Sequence, residues 1–422
     1  MKIKRICIEN FKSFHHAEID FNGRNTIVFG VNGTGKSTLL SAVNYLARTW
    51  INRINSNQSR EMEKFTDEDI FIGENELKIR GLFSLDENEY TLSRSYHLPL
   101  INDRSKQTTY NKKEYDVFSK MFSEKYLSEN SENMPVYVFY GTNRSVLNIP
   151  NKLEDRRYDM LSALDRAIDS TVDFRKFFEW FRDCEAKETN MIRNRIAHGL
   201  TVSSDKMLDK VRFAIESVIE NVSDLKVQYE PVRMTVKKED KEIRVDMLSD
   251  GEKCTLALFG DLARRMCLAN PKAEDPFSGQ GIVLIDEIEL HMHPTWQRKV
   301  MKKLTGLFPN VQFIVTTHSP QILGEADDNY LVLAIDEDTR EIIEISRLDG
   351  CDSNYILEEY MHTSSKNEAT QNLIDEINKC IVKKEFENAA EKLSELKDIA
   401  GTENTDYILA KGFLERSRRL NA

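Results

Sequence analysis

Gly30-Val31-Asn32-Gly33-Thr34-Gly35-Lys36-Ser37-Thr38 fits the pattern G-x-x-x-x-G-K-[ST]. Ahead of it, Asn25 to Phe29 reads as a short buried strand; behind it, Ser37 to Thr49 carries Leu39, Leu40, Val43 and Leu46 at helical spacing. Strand, glycine-rich loop and helix in that order make an anion site. The glycines let main-chain N–H groups close around phosphate oxygens at a helix N-terminus, and Lys36 neutralises β and γ charge. The Ser37 hydroxyl offers a ligand to Mg2+. Asn32, Gly33, Thr34, Gly35, Lys36, Ser37 and Thr38 are therefore the expected nucleotide-binding residues.

The 422 residues are enough for two or three cores, and 40% apolar with 31% charged residues is the balance of a soluble globular chain. No apolar run approaches the ~20 residues of a membrane span, and Met1 to Ile6 leads into a strand pattern rather than a signal peptide, so a cytoplasmic protein is expected. Cys7, Cys184, Cys254, Cys267, Cys351 and Cys380 lie far apart without a C-x-x-C pair, which points to free thiols and away from a zinc ribbon. A net charge of −11 gives no global steering toward nucleic acid.

Outward from the loop, Ile3 to Ile8 and Ala17 to Phe21 alternate as two strands around the turn Asn10-Phe11-Lys12-Ser13-Phe14. Residues 54 to 66 turn polar, as in a mobile surface loop. Glu76 to Ser84 and Glu89 to Tyr96 form a hairpin about Asp86-Glu87-Asn88, Tyr115 to Tyr126 is helical, and Pro135 to Tyr140 is a buried strand. Helical spacing then takes over in Leu153 to Ile168, Phe174 to Arg195 and Lys206 to Ile219. Strands resume at Leu225 to Tyr229, Val232 to Lys237 and Ile243 to Met247. The segment Leu248-Ser249-Asp250-Gly251-Glu252 opens a helix. Gly281 to Ile285 is a continuous apolar strand running into Asp286-Glu287; Pro294 starts a helix, Val311 to Val315 is the next buried strand, and Tyr330 to Ile335 with Glu341 to Ile345 make a hairpin. The tail from about Asp352 is helical, with two segments joined at Lys384-Glu385.

Asp286 at the end of an apolar strand is where a phosphate-loop enzyme needs a carboxylate for Mg2+, and Glu287 is the candidate that polarises the attacking water. His318, after Thr316-Thr317, stands where an imidazole can bond the γ-phosphate. Ser249 and Gly251 at a helix N-terminus offer a hydroxyl and free N–H groups; Ser249 with Glu252 three residues on is also an ordinary capping box. His291 and His293 with Glu289 are alternate residues after a strand, converge poorly on one metal ion, and read as packing or interface residues.

These motifs occur in the order found in ATP-binding-cassette ATPases, and Asn10 to Phe14 resembles the opening of the RecF, SMC and OLD branch. The stretches Asp286 to Pro294 and Thr317 to Gln321 resemble stand-alone ATPases of anti-phage systems. Tyr140 to Arg144 and the tail around Phe386 are most similar to the PtuA ATPases of Septu and retron systems. The resemblance implies an ATP-sandwich homodimer or higher oligomer in which Ser249 and Gly251, beside Glu252 in the nucleotide-binding set, act on nucleotide held by the other copy. It adds Lys12 to the nucleotide-binding residues, and implies ATP hydrolysis with Glu287, His318 and Lys36 as catalytic residues and Mg2+ on Ser37 and Asp286. It also implies a separate nuclease subunit of the HNH, PtuB-like kind, with nucleic acid reached through that complex and no membrane. One departure stands out: Thr142 and Asn143 occupy the place where the family carries a glutamine.

Two other readings compete. Arg193 to Gly199 matches the R-x4-H motif of HEPN ribonucleases, and the head as a whole suits a RecF-like DNA-repair ATPase. The cluster Asp336-Glu337-Asp338 fits a hairpin turn better than a Toprim nuclease. The expected architecture is α/β: an ABC-type ATPase head, with a mixed phosphate-loop sheet, flanking helices and an antiparallel β subdomain. Residues 1–150 form its N-terminal lobe, 151–222 a helical insertion, 223–350 its C-terminal lobe and 351–422 a helical tail.

Overall fold

The computed structural model describes residues 1–55, 65–98, 108–128, 131–142, 158–170, 174–201, 204–346, 348–364 and 367–421. The chain divides into two compact units, Met1–Gly350 and Cys351–Ala422.

The first unit opens with β1 (Lys2–Phe11) and β2 (Phe14–Asp20), an antiparallel pair in which Phe11 faces Phe14 across the turn. β3 (Asn25–Phe29) leads into the glycine loop and α1 (Lys36–Ile54). β4 (Glu76–Leu85), β5 (Asn88–His97) and β6 (Thr108–Tyr110) follow, then α2 (Lys112–Tyr126) and β7 (Val136–Tyr140). Two helices, α3 (Phe174–Ala197) and α4 (Lys206–Val218), precede β8 (Val222–Tyr229), β9 (Val232–Lys238) and β10 (Lys241–Arg244). Then come α5 (Asp250–Ala269), β11 (Gly281–Ile285), α6 (Pro294–Leu307), β12 (Val311–Thr317), the single turn α7 (Pro320–Leu323), and the hairpin β13 (Tyr330–Ile335) and β14 (Ile342–Ile345).

The central sheet has the order β14-β13-β3-β12-β11-β7, parallel except for β14. β11 and β12 are buried along their whole length, which is why Ile282 to Ile285 and Phe313 to Val315 are apolar without alternation. Because β3, β11, β12 and β7 run the same way, the glycine loop, Asp286, His318 and Gly141 emerge from one edge of the sheet. An antiparallel sheet, β2-β1-β4-β5-β6, and a smaller one, β10-β9-β8, complete the unit. α1 packs on β4 and α2, with Leu39, Leu40, Val43, Leu46 and Trp50 fully buried. The α/β head expected from the motifs is thus the observed fold.

The second unit contains α8 (Ser353–Glu359), α9 (Glu368–Val382), α10 (Phe386–Ala400) and α11 (Thr405–Asn421). α9 and α10 turn back on each other at Lys384, which takes a left-handed φ of 62°. Ile377, Ile381, Ala389, Leu393 and Leu396 close a small core with Ala410 and Leu414 of α11. The expected pair, α9 and α10, is therefore joined by α11 in one small core.

Two expected elements differ. Leu153 to Ile168 was expected as a helix; its described part forms only the 3-10 turn Met160–Leu164, capped by Asp159. The carbonyls beyond that turn bond elsewhere: Ala167 and Ser170 accept from the N–H groups of Phe139 and Gly141, and Ile168 accepts from Asn44 and Arg48. Serving the β7 edge removes them from any i to i+4 ladder. The strand expected over Ile243 to Met247 ends at Arg244, because Val245 turns inward and becomes fully buried at the start of a 3-10 turn. Most of the polar loop at 54–66, together with Asn143 and Arg144, lies outside the described residues.

Candidate nucleotide-binding site

Gly30, Gly33 and Gly35 carry φ angles of 154°, 81° and 110°, values that favour glycine. Gly30 lies against the Ile335 carbonyl, where a Cβ would come within 2.9 Å, and a Cβ on Gly35 would come within 2.5 Å of Ser13 Oγ. The loop is thus clasped between the β13 end and the turn at Asn10 to Phe14. Thr34 Oγ1 donates to the Val31 carbonyl at 3.0 Å, while Asn32 and Gly33 are exposed and Thr38 partly so at the mouth. Lys36 is buried, and its ammonium donates to the carbonyls of Gly30 (3.0 Å) and Val31 (2.8 Å). Burial pulls its pKa down to about 8, opposed by the nearby carboxylates of Asp286, Glu287 and Glu289.

Across the strand ends, Ser37 Oγ donates to Asp286 Oδ1 at 3.1 Å and Thr316 Oγ1 donates to the same oxygen at 2.6 Å. Thr316 Oγ1 also accepts from the Glu287 N–H at 2.8 Å, and the Asp286 N–H bonds the Tyr140 carbonyl at 2.8 Å. Glu287 has a left-handed φ of 47°, which turns the chain sharply at the strand end. His318 stands on the next strand end; burial holds its imidazole below the ordinary value, and the charge of Lys36 acts the same way. The loop thus joins Ser37, Lys36, Asp286, Glu287 and His318 at one place. Left-handed glycines for a polyphosphate and a hydroxyl beside a carboxylate for a divalent cation are a donor set that fits ATP and Mg2+.

Ser249 caps α5. Its hydroxyl accepts from the Glu252 N–H (3.4 Å) and donates to Glu252 Oε2 (2.9 Å), while the Ser249 N–H donates to that carboxylate (3.0 Å). Lys238 holds the other Glu252 oxygen at 2.7 Å. Gly251 lies against the chain after β11, where a Cβ would meet the His291 carbonyl at 2.4 Å, so only glycine fits. Among the described residues, no hydrogen bond or ion pair joins this helix start to the phosphate loop of the same chain. It lines instead a cavity of about 740 Å³ with Lys238, His291, His293 and Trp296.

The remaining candidates separate. Lys12 pairs with Asp69 at 3.3 Å and lies 5.5 Å from the Phe11 ring centre. His293 caps α6 by accepting from the Thr295 N–H, and His291 is exposed. Arg193 and His198 sit at the exposed C-terminal end of α3, with the His198 ring against the Asn194 carbonyl at 2.7 Å. Asp336 takes the N–H groups of Asp338 and Thr339, the bonding of a hairpin turn. Gly141 and Thr142 follow β7 at the site edge, and Asn143 lies outside the described residues.

Three residues take a part at the site that the motif reading did not give them. Thr316 ties Asp286 to Glu287, and its signal is a hydroxyl at the end of a fully buried strand, after the apolar run Phe313 to Val315. Glu289 accepts from the His318 N–H. Tyr140, whose carbonyl fixes Asp286, also donates through its hydroxyl to Asp261 of α5 at 2.9 Å. No sequence pattern points to that last pair.

Comparison with known proteins gives the following likenesses. A family model described as AAA domain, putative AbiEii toxin, Type IV TA system matches residues 26–324. A retron Vc95 probable ATPase from Vibrio cholerae serotype O1 biovar El Tor is 29% identical over 372 residues, covering 76% of this chain and 71% of that protein. A Septu protein PtuA from Bacillus thuringiensis is 23% identical over 344 residues, covering 80% and 76%. Among solved structures, an SMC head bound to the C-terminal winged-helix domain of ScpA shares the fold, with a TM-score of 0.50 at 17% identity over 82% of this chain and 98% of that one.

Proposed function

The chain belongs to the AAA-domain family described as putative AbiEii toxin, Type IV TA system, and from that premise we propose that it is an ATPase of retron- and Septu-like anti-phage systems. In this reading it binds and hydrolyses ATP, closes as a two-copy sandwich, and thereby regulates a partner nuclease. The observation that carries it is the 3.1 Å contact between Ser37 of the phosphate loop and Asp286 of the distant strand end. Bound Mg2+, held by Ser37 and Asp286, would neutralise charge on the phosphate oxygens. The chain's own residues do the rest. Lys36 leaves its two carbonyls for the β and γ oxygens, the loop N–H groups orient the phosphates, Glu287 polarises water, and His318 bonds the γ-phosphate.

The start of α5 supports the sandwich. Ser249 is exposed, its partners are within its own capping box, and it lines a cavity apart from the phosphate loop, so the exposed start of α5, with its positive dipole end, is open to nucleotide on a second copy. Hydrolysis then reopens the dimer, and the change of shape is what a nuclease subunit of the HNH kind would read, with nucleic acid bound by that complex.

Glu287→Gln should lower turnover by about 10²–10⁴-fold and trap a closed dimer with ATP. Light scattering checks it: doubled mass with ATP is expected, and equal mass with and without ATP overturns the sandwich. Co-purification of the tagged full chain tests the partner. RNA cutting by the chain alone, abolished by His198→Ala, would establish the HEPN reading instead. Tight ATP-dependent DNA binding with a steep salt slope would favour a repair ATPase.

A further inference from the structure

β11 and β12 are neighbouring parallel strands, and their ends are stitched in two directions. Thr316 reaches from β12 to β11: its hydroxyl serves Asp286 and the Glu287 N–H, and its carbonyl accepts from Ile288 at 3.0 Å. Glu289 reaches the opposite way. Its Oε1 accepts the main-chain N–H of His318. Its own loop is pinned behind it, because the Met292 N–H bonds the Glu289 carbonyl at 2.8 Å. Beyond His318 the chain is fixed by Ser319, whose N–H takes Thr317 Oγ1 (2.9 Å) and whose hydroxyl donates to Gln297 Oε1 (2.6 Å).

A main-chain N–H can be satisfied by any carbonyl, so a carboxylate there calls for a reason. The group is poorly accommodated: Glu289 Oε2 is shut off from solvent without a partner, and burial pushes its carboxyl above the ordinary value. What the arrangement provides is a charge-assisted bond, shorter and stronger than an amide–carbonyl one, on the main chain of the residue read above as the γ-phosphate contact.

We propose that Glu289 is a positioning residue for hydrolysis, holding the His318 main chain so that the imidazole stands at the γ-phosphate. This rests on the ATPase reading above. Glu289 acts through the His318 main chain, which it holds.

The test is turnover and ATP affinity of the full chain carrying Glu289→Gln, Glu289→Ala, His318→Ala and the double Glu289→Ala/His318→Ala. Glu289→Gln keeps an acceptor oxygen without the charge and loses less activity than Glu289→Ala. Glu289→Ala lowers kcat about 10–100-fold, the usual cost of losing an orienting partner, with ATP affinity within about threefold. The double variant is no slower than His318→Ala alone, since both lesions remove one function. Should Glu289→Ala fail to fold, Glu289→Asp, one methylene too short to span the strands, takes its place. Amide hydrogen exchange across residues 316–322 adds a readout, with protection at His318 kept in Glu289→Gln and lost in the shorter variants. Multiplying effects in the double variant, equal losses of kcat and affinity, or unchanged kcat in the shorter variants overturn the proposal. If instead wild-type chain does not hydrolyse ATP, or Glu287→Gln leaves turnover intact, it is the ATPase reading that fails.

Discussion

Two buried groups of charges, one in α5 and one at the strand ends, are handled in opposite ways. In α5, Asp261 is wholly enclosed and every oxygen is occupied. Oδ1 accepts from Arg264 (3.2 and 2.7 Å), and Oδ2 accepts from Arg265 (2.6 Å) and the Tyr140 hydroxyl (2.9 Å). Burial alone would push this carboxyl up, but Arg265 and Arg264 beside it hold it far below the usual range. At the strand ends, among the described residues, the Lys36 ammonium bonds carbonyls and the Asp286 carboxylate bonds hydroxyls, although both residues are buried. Among the described residues Lys36 forms no ion pair. The Asp261 carboxylate is saturated by charged partners inside the fold, with one guanidinium charge in excess; the Lys36 and Asp286 charges proposed for a ligand hydrogen-bond neutral groups that a polyphosphate and a cation could replace.

The comparison is sharpest where it is easiest to break. Asp261→Ala leaves two guanidiniums enclosed without a counter-charge and should lower stability by about 3–5 kcal/mol, read as a fall in denaturant midpoint or as loss of soluble protein. A loss below about 1 kcal/mol, the level of a neutral surface change, would mean that the cluster is not matched as described. Lys36→Met should do the reverse: turnover falls by about 10²–10³-fold, while the nucleotide-free protein melts no lower than wild type, because a buried ammonium whose desolvation outweighs its nearby carboxylates has gone. A large drop in melting temperature would show that Lys36 is structural.

The smallest effects are in pH dependence, and their signs differ. The folded protein binds the Asp261 proton more weakly than the unfolded chain, so this stabilisation is present above the ordinary carboxylate value of 3.8 and is lost as pH falls below it. Asp261→Asn, if it folds, should show a shallower acid limb. Lys36 has its folded value lowered from 10.5 to about 8, so its unfavourable contribution is full below about 8 and fades as pH rises toward 10.5. Lys36→Met should flatten that alkaline rise in urea titrations of the nucleotide-free chain. An unchanged slope would contradict the ammonium's burial.

Much of the site was legible because its signals are local. Glycines at left-handed positions, a lysine and serine at a helix start, and a carboxylate ending an apolar strand all declare themselves within a few residues of chain. Ser249 and Glu252 announced a capping box and form one. Residues 158–170 misled because apolar spacing says nothing about where carbonyls go. Those of Ala167 and Ser170 are taken by β7.

By itself, the amino-acid sequence determined the strand–loop–helix unit around Lys36, the strands that end in Asp286 and His318, and the amphipathic helices of the tail. Each follows from side-chain periodicity or from a backbone conformation that one residue type tolerates. Only the tertiary structure decided that Glu289 holds His318, that Tyr140 joins Asp286 to Asp261, that Thr316 bridges two strand ends, and that Gly251 must leave room for the His291 carbonyl. Those pairings depend on which strands lie side by side and on which buried polar atoms then need partners, a condition set by the whole fold and by no stretch of the chain alone.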